Sequence, residues 1–423
     1  MTELQERHRR VMGADAPLFY EEPLHLVRGE GVWLYDEAGN RYLDLYNNVP
    51  CVGHANPRVT EAVRRQLSTL NVHSRYLHEG VVAYAERLTD LHHDGLTSIV
   101  FTCTGSEANE VAMMMARGAT GRRGIIGTDG TYHGNTPEVA KLTGLAVDGD
   151  RAGVRAIPTP RRYRPLADGL DDRQLADLHI QRLEEQIGAL EDDGTGFAGL
   201  MLCSILANEG LPDAPDGFFP RAVEAVHRAG GLVIADEVQA GFARSGSWWG
   251  YETNRFVPDI VTMGKPMGNG VPVAGVVADH ETVSGFRRRH RYFNTFAASP
   301  LQAAAGSAVL DEIEERRLIS NAVRVGETVR AGLRALQHDD PRMGDVRGCG
   351  LFIGIDWVRP GTTEPDVEGA ARVVEAMKAR SMLMGKAGQH GNVLKIRPPL
   401  VFGPEHGELF LDAFADAIDD VGS

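Results

Sequence analysis

Between about Asn56 and Leu310 this chain alternates short apolar runs with stretches of helical periodicity, and no other feature restricts its fold as much. The runs are Ser98 to Cys103 (SIVFTC), Gly199 to Cys203 (GLMLC), Leu232 to Ala235 (LVIA) and Ile260 to Met263 (IVTM). Runs so short, with so little polar alternation, suit strands covered on both faces, as in a mostly parallel sheet with helices on either side. Phe218 to Ala229 reads as one such helix, stopped by Gly230-Gly231. Another begins at Ser299-Pro300, a capping residue followed by proline at the first helical position.

The flanks read differently. Gly31 to Tyr46 is expected to form a hairpin, GVWLYD and RYLDLY joined through Glu37-Ala38-Gly39-Asn40. Beyond Leu310 come a long helical stretch, a glycine-rich strand segment (GCGLFIGIDWV), and a helix near Val367 to Arg380. A strand at Val393 to Ile396 and a last helix from about Pro404 complete the chain. At 423 residues the chain is too long for one small core. We therefore expect an α/β protein with a large domain over residues 56–310. A smaller α+β domain would be assembled from residues 1–55 and 311–423.

Lys plus Arg total 44 against 58 Asp plus Glu, a formal net charge of −14. That balance argues against nucleic-acid or anionic-membrane partners, which need a positive surface, while leaving room for a local basic pocket. Cys51, Cys103, Cys203 and Cys349 lie far apart with no C-x-x-C pair, so neither a metal site nor a disulfide framework is expected. The start, MTELQERHRR, has no apolar core, and no run approaches a membrane span. A cytoplasmic protein is the expectation.

Four segments carry the chemistry. In CTGSEANE, Cys103 to Glu110, Thr104 and Glu107 have the spacing of a capping box. Free N–H groups at that helix start, with Gly105 permitting close approach, would hold an anion on Gly105 and Ser106; an ordinary capped helix looks the same. In GLVIADEVQAGFARSG an apolar run ends in Asp236 and Glu237, where ligands bind open α/β sheets. A carboxylate there can pair with a protonated ring nitrogen, ligate a metal, or cap the next turn. In PDIVTMGKPMGNGVPVAGVV, Lys265 follows a buried strand and sits among Gly264, Gly268 and Gly270. A lysine brought to a strand end in this way suits Schiff-base chemistry, since desolvation lowers its pKa; a solvated loop lysine is the alternative. In VLKIRPPLVF, Arg397 precedes two stiffening prolines and could grip a carboxylate bidentately, or pair at the surface.

Together, in this order, the segments resemble the class III aminotransferases, pyridoxal 5′-phosphate (PLP) enzymes of fold type I, from about Phe19 to Leu411. The resemblance implies phosphate contacts from Gly105 and Ser106 of TGSEANE. It implies that Tyr132 of TYHGNT stacks on the pyridine ring, with His133 and Gly134 beside it. ADEVQAGF, where relatives carry DEVQTG, supplies Asp236 for the pyridinium nitrogen and Gln239 for the ring's phenolic oxygen. Lys265 of MGKPMGNG holds the cofactor as a Schiff base and, once displaced, moves a proton on and off the substrate carbon. Thr295 of NTFAASP reaches the phosphate in the neighbouring subunit, which implies a homodimer with shared active sites. Arg397 of KIRPPL anchors a substrate carboxylate. Relatives carry Glu-Pro where this chain reads Asn208-Glu209-Gly210, and Glu209 is carried over as a cofactor contact.

LYNNVPCVGHANPRV and LNVHSRYLHEGVVAYAERL look most like one branch, containing alanine–glyoxylate-aminotransferase-like proteins and phospholyases acting on phosphoethanolamine or phosphohydroxylysine. The first expectation is transfer of an amino group to a 2-oxo acid. The alternative is loss of the same proton followed by expulsion of phosphate from the adjacent carbon. Elimination needs a second anion pocket, for which Arg75, His78, Lys386 and Arg397 are the candidates; Phe19, Tyr20 and Asn47 are further candidates for lining the substrate site. A non-catalytic protein on the same fold is a third reading, disfavoured because Lys265 and Asp236 are both present.

Overall fold

The computed structural model describes residues 2–143 and 151–422. A seven-stranded sheet runs in the order Ser98–Thr102, Ala274–Ala278, Ile260–Met263, Leu232–Asp236, Phe197–Cys203, Gly124–Thr128, Val154–Ile157. Only Ala274–Ala278 runs against its neighbours; the other strands point the same way. Every apolar run singled out in the sequence is a strand of this sheet.

The burial pattern explains why those runs lack alternation. Along Leu232–Asp236, Val233 and Ala235 enter one core with the helices Asp172–Asp192 and Phe218–Arg228. Ile234 enters the opposite core with helix Gly105–Thr120, through Ala108, Ala112 and Met115. Period-2 geometry thus sends successive side chains to two different apolar layers, and both must be hydrophobic. Because the strands are parallel, their carboxyl ends share one edge. In register there, Cys203 lies beside Asp236, and Asp236 beside Thr262.

The flanking segments meet each other. Leu26–Glu30, Trp33–Asp36 and Arg41–Asp44 form an antiparallel meander, which is the expected hairpin plus one strand. Met382–Leu383 adds to it, parallel to Arg41–Asp44, so the two ends of the chain share a sheet. A third sheet, wholly antiparallel, orders Met343–Cys349, Phe352–Trp357, Val393–Ile396 and Gly385–Ala387.

Three details differ from expectation. The glycine-rich segment is a hairpin and not one strand, because Gly350 turns at φ +51° where a Cβ would come within 2.4 Å of the Arg244 carbonyl oxygen. The change of pattern at Leu310 falls inside helix Pro300–Glu315, whose apolar face continues across that point. A helix at Glu3–Met12 was not anticipated, although Thr2 and Gln5 form its capping box. Among the described residues, no helix is long and apolar enough to cross a membrane.

Candidate active site

At the shared carboxyl edge the strand Ile260–Met263 gives way to Gly264 and then to a single 3-10 turn, Lys265–Gly268. Lys265 begins that turn at φ +32°, a strained backbone for a residue with a Cβ. Its side chain enters a cleft of about 300 Å³. Gly105, Ser106, Tyr132, His133, Asp236 and Gln239 line the same cleft. Burial lowers the Lys265 pKa, opposed by the charge of Asp236.

Asp236 ends its strand fully inside the protein. Its Oδ2 accepts from His133 Nδ1 at 2.6 Å and from Asn109 Nδ2 at 3.0 Å, and its Oδ1 from the Val238 N–H at 3.0 Å. Burial alone pushes the carboxyl up; His133, the Val238 N–H and Lys265 outweigh it, and the group lies below the ordinary aspartate range. The bond to the carboxylate makes His133 Nδ1 the donor, and Nε2 hydrogen-bonds the Thr131 hydroxyl at 2.9 Å. A buried, ionised acid therefore faces the cleft.

Opposite stands the capped start of helix Gly105–Thr120. Thr104 Oγ1 takes the Glu107 N–H at 3.1 Å, and Glu107 Oε2 takes the N–H groups of Cys103 and Thr104. The cap thereby leaves the N–H groups of Gly105 and Ser106 without helical partners, beside the cleft. A Cβ at Gly105 would approach Val238 Cγ1 to 2.9 Å, so any side chain there would displace Val238 at the cleft. A helix start for a phosphate, an ionised acid for a protonated ring nitrogen, and an amine of lowered pKa for an aldehyde together fit PLP.

The sequence model of the family described as aminotransferase class-III matches residues 19–418. The chain belongs to the class III aminotransferases. It is accordingly a PLP-dependent enzyme. Over 434 aligned residues it is 36% identical to a Drosophila melanogaster protein named alanine–glyoxylate aminotransferase 2-like, covering 99% of this chain and 87% of that one. It is 33% identical to ethanolamine-phosphate phospho-lyase homolog 1 of Caenorhabditis elegans, covering 95% and 90%. Among solved structures, an Arthrobacter phospholyase in complex with phosphoethanolamine superposes with a TM-score of 0.95 at 41% identity, covering 99% of both chains.

Not every residue expected at the site of this class III enzyme lies in the cleft. Glu209 is buried beside it, its carboxyl accepting from the Thr128 hydroxyl, and the neighbouring Asn208 lines the cleft instead. Asn47 turns away to Asp44, and Val49 of the same segment faces in. Tyr20 donates to the Met384 carbonyl at 3.2 Å, and Phe19 packs on the Tyr46 ring; neither reaches the cleft. Arg75 lies over the Phe293 ring on an exposed face, with Thr295 nearby in sequence to that ring. His78 borders a separate groove, and Lys386 is exposed on its strand. Within one chain these last residues do not gather beside Arg397.

Arg397 is buried behind Gln239. Its Nε and one terminal nitrogen donate to the Tyr46 carbonyl at 3.0 and 2.9 Å, and the other donates to Gln239 Oε1. Lys395, which was passed over, donates to the same Gln239 oxygen at 3.3 Å and is only 4% exposed. Burial drives the Lys395 pKa well down, and the charges of Arg397 and Lys265 lower it further. Burial likewise brings Arg397 down to about 10. The signal was available: on a strand, positions two apart face the same way. Asn109 was also missed, although it stands one helical turn beyond Gly105 and so shares its face.

Proposed function

We propose that this PLP enzyme eliminates phosphate from a phosphorylated amine of the phosphoethanolamine type. The carrying observation is the pair Lys395 and Arg397: two buried basic side chains whose shared side-chain acceptor is the neutral Gln239 oxygen. Charging both out of water is costly unless a counter-charge joins them. A carboxylate brings one negative charge. A phosphate monoester brings about 1.5 to 2 at neutral pH, which matches the pair.

The chain's own groups then divide the work. When bound, PLP supplies the electron sink for charge released at the amine-bearing carbon. Lys265 Nζ removes the proton from that carbon, its lowered pKa leaving more free amine near neutral pH. Asp236 would hold the proton on the ring nitrogen, and the helix start at Gly105 and Ser106 would hold the cofactor's phosphate. Tyr132 would stack on the ring, and Gln239 would serve its phenolic oxygen. Lys395 and Arg397 hold the substrate phosphate and stabilise it as the carbon–oxygen bond breaks. Overall, phosphoethanolamine and water give acetaldehyde, ammonia and inorganic phosphate.

The test is phosphate release from phosphoethanolamine by the holoenzyme with no 2-oxo acid present; acetaldehyde and ammonia should appear in equal amounts. Amino-group transfer is the second reading, favoured by relatives named for alanine–glyoxylate transamination. Silence towards phosphoethanolamine, together with pyruvate-dependent turnover of an amine, would replace the first reading with the second.

We also propose a cytoplasmic homodimer. Leu77 is 99% exposed and Phe296 is 74% exposed, on the face that carries Arg75 and Thr295. A large apolar patch of this kind calls for a cover, and a second copy would bring Thr295 and Arg75 to its neighbour's cleft. Light scattering on the eluting protein should give twice the 46.0 kDa chain mass, and Phe296→Asp should halve it. A monomeric wild type would end this reading, and cell fractionation tests the location.

A further inference from the structure

Asn109 sits at the centre of a hydrogen-bond network to which the reaction just outlined assigns no role. It lies on the second turn of helix Gly105–Thr120 and is 1% exposed. Its amide can point only one way. The atoms facing Nδ2 are the His133 carbonyl oxygen at 2.6 Å and Asp236 Oδ2 at 3.0 Å, and both can only accept. Oδ1 must then take the Thr262 hydroxyl hydrogen, at 2.6 Å. Thr262 is itself the register neighbour of Asp236 on the adjoining strand. The amide thus ties a helix, two strand ends and the loop carrying His133 to one carboxylate oxygen.

We propose that Asn109, oriented by Thr262, is a positioning residue that fixes the aim and charge of Asp236 towards the ring nitrogen of the cofactor. A carboxylate supplied with fixed N–H donors stays ionised, and an ionised partner keeps the ring nitrogen protonated. Thr262 makes the arrangement unambiguous. Without its hydroxyl the amide loses its only acceptor-side partner and is free to tilt. His133 and the Val238 N–H hold one oxygen each; Asn109 adds a second donor on Oδ2, which sets the tilt of the carboxylate plane.

This inference rests on reading Asp236 as the acid at the ring nitrogen. It is indifferent to whether the reaction is elimination or amino transfer. The readout is the pH midpoint of the visible absorption band when PLP is titrated into apoenzyme, together with the PLP dissociation constant. A proton held on the ring lowers that midpoint by like-charge repulsion, so loosening Asp236 raises it.

Asp236→Asn serves as the reference and should raise the midpoint most. Asn109→Leu should raise it by about one unit and weaken PLP about tenfold. Thr262→Val should move both in the same direction by less, while Thr262→Ser, which keeps the hydroxyl, should match wild type. If Asp236→Asn leaves the midpoint unmoved, the ring-acid reading fails first. If Asp236→Asn moves it but Asn109→Leu and Thr262→Val do not, Asn109 is only packing and the proposal is overturned. Should Asn109→Leu not fold, the contrast between Thr262→Val and Thr262→Ser decides alone.

Discussion

Replacing Lys265 by alanine is expected to abolish the borohydride-stable adduct between protein and PLP and to slow turnover by at least about 10³-fold. The size of the effect follows from the site: one amine both binds the cofactor covalently and moves the substrate proton. Among the residues lining the cleft, Lys265 is the only lysine, so no neighbour stands ready to take over. The fold should survive. Lys265 contributes little to either core, and alanine keeps the same backbone at φ +32°, so the variant should melt close to wild type. A persisting adduct in Lys265→Ala would transfer the role to another amine, and Lys395 would be the first to examine.

Lys395→Met is expected to separate activity from stability. Charge-assisted hydrogen bonds are worth roughly 1.5 to 3 kcal/mol each, so kcat/KM for phosphoethanolamine should fall about 10- to 150-fold. Arg397→Met should act similarly, but it also strands the Tyr46 carbonyl, which now accepts two bonds from the guanidinium. The melting temperature of Lys395→Met should hold or rise, because an amine kept out of water with one neutral hydrogen-bond acceptor and the Phe352 ring destabilises the fold. Lys395→Arg should retain most of the activity. An unchanged kcat/KM in Lys395→Met would remove the argument for a phosphorylated substrate, whatever the melting curve shows.

The central sheet was legible in the sequence because its chemistry is local. A strand buried on two faces must be apolar at nearly every residue, and glycine, proline and serine punctuate it. Gly105, Ser106, Asp236 and Lys265 were readable for the same reason: each stands at a strand end or helix start where backbone geometry limits the choice of residue, whereas Tyr132, His133 and Gln239 came only through the family resemblance. What escaped notice depends on distance. Asn109 and Thr262 are 153 residues apart in sequence, and nothing local announces that their side chains meet. Lys395 was hidden by its neighbour, since an arginine before two prolines draws attention from a lysine two positions earlier. Arg75 and Thr295 failed to appear beside the cleft because they lie on an exposed apolar face, where only another molecule could give them that role.

The parallel pairing of Met382–Leu383 with Arg41–Asp44 carries a consequence for synthesis. Arg41–Asp44 waits, one edge bare, while the residues between it and Met382 are translated. During that wait the seven-stranded layer can collapse on its own, since all its strands lie between Ser98 and Ala278. An unpaired edge of this kind invites the wrong neighbour, so the nascent chain is most vulnerable until Met382–Leu383 has been made.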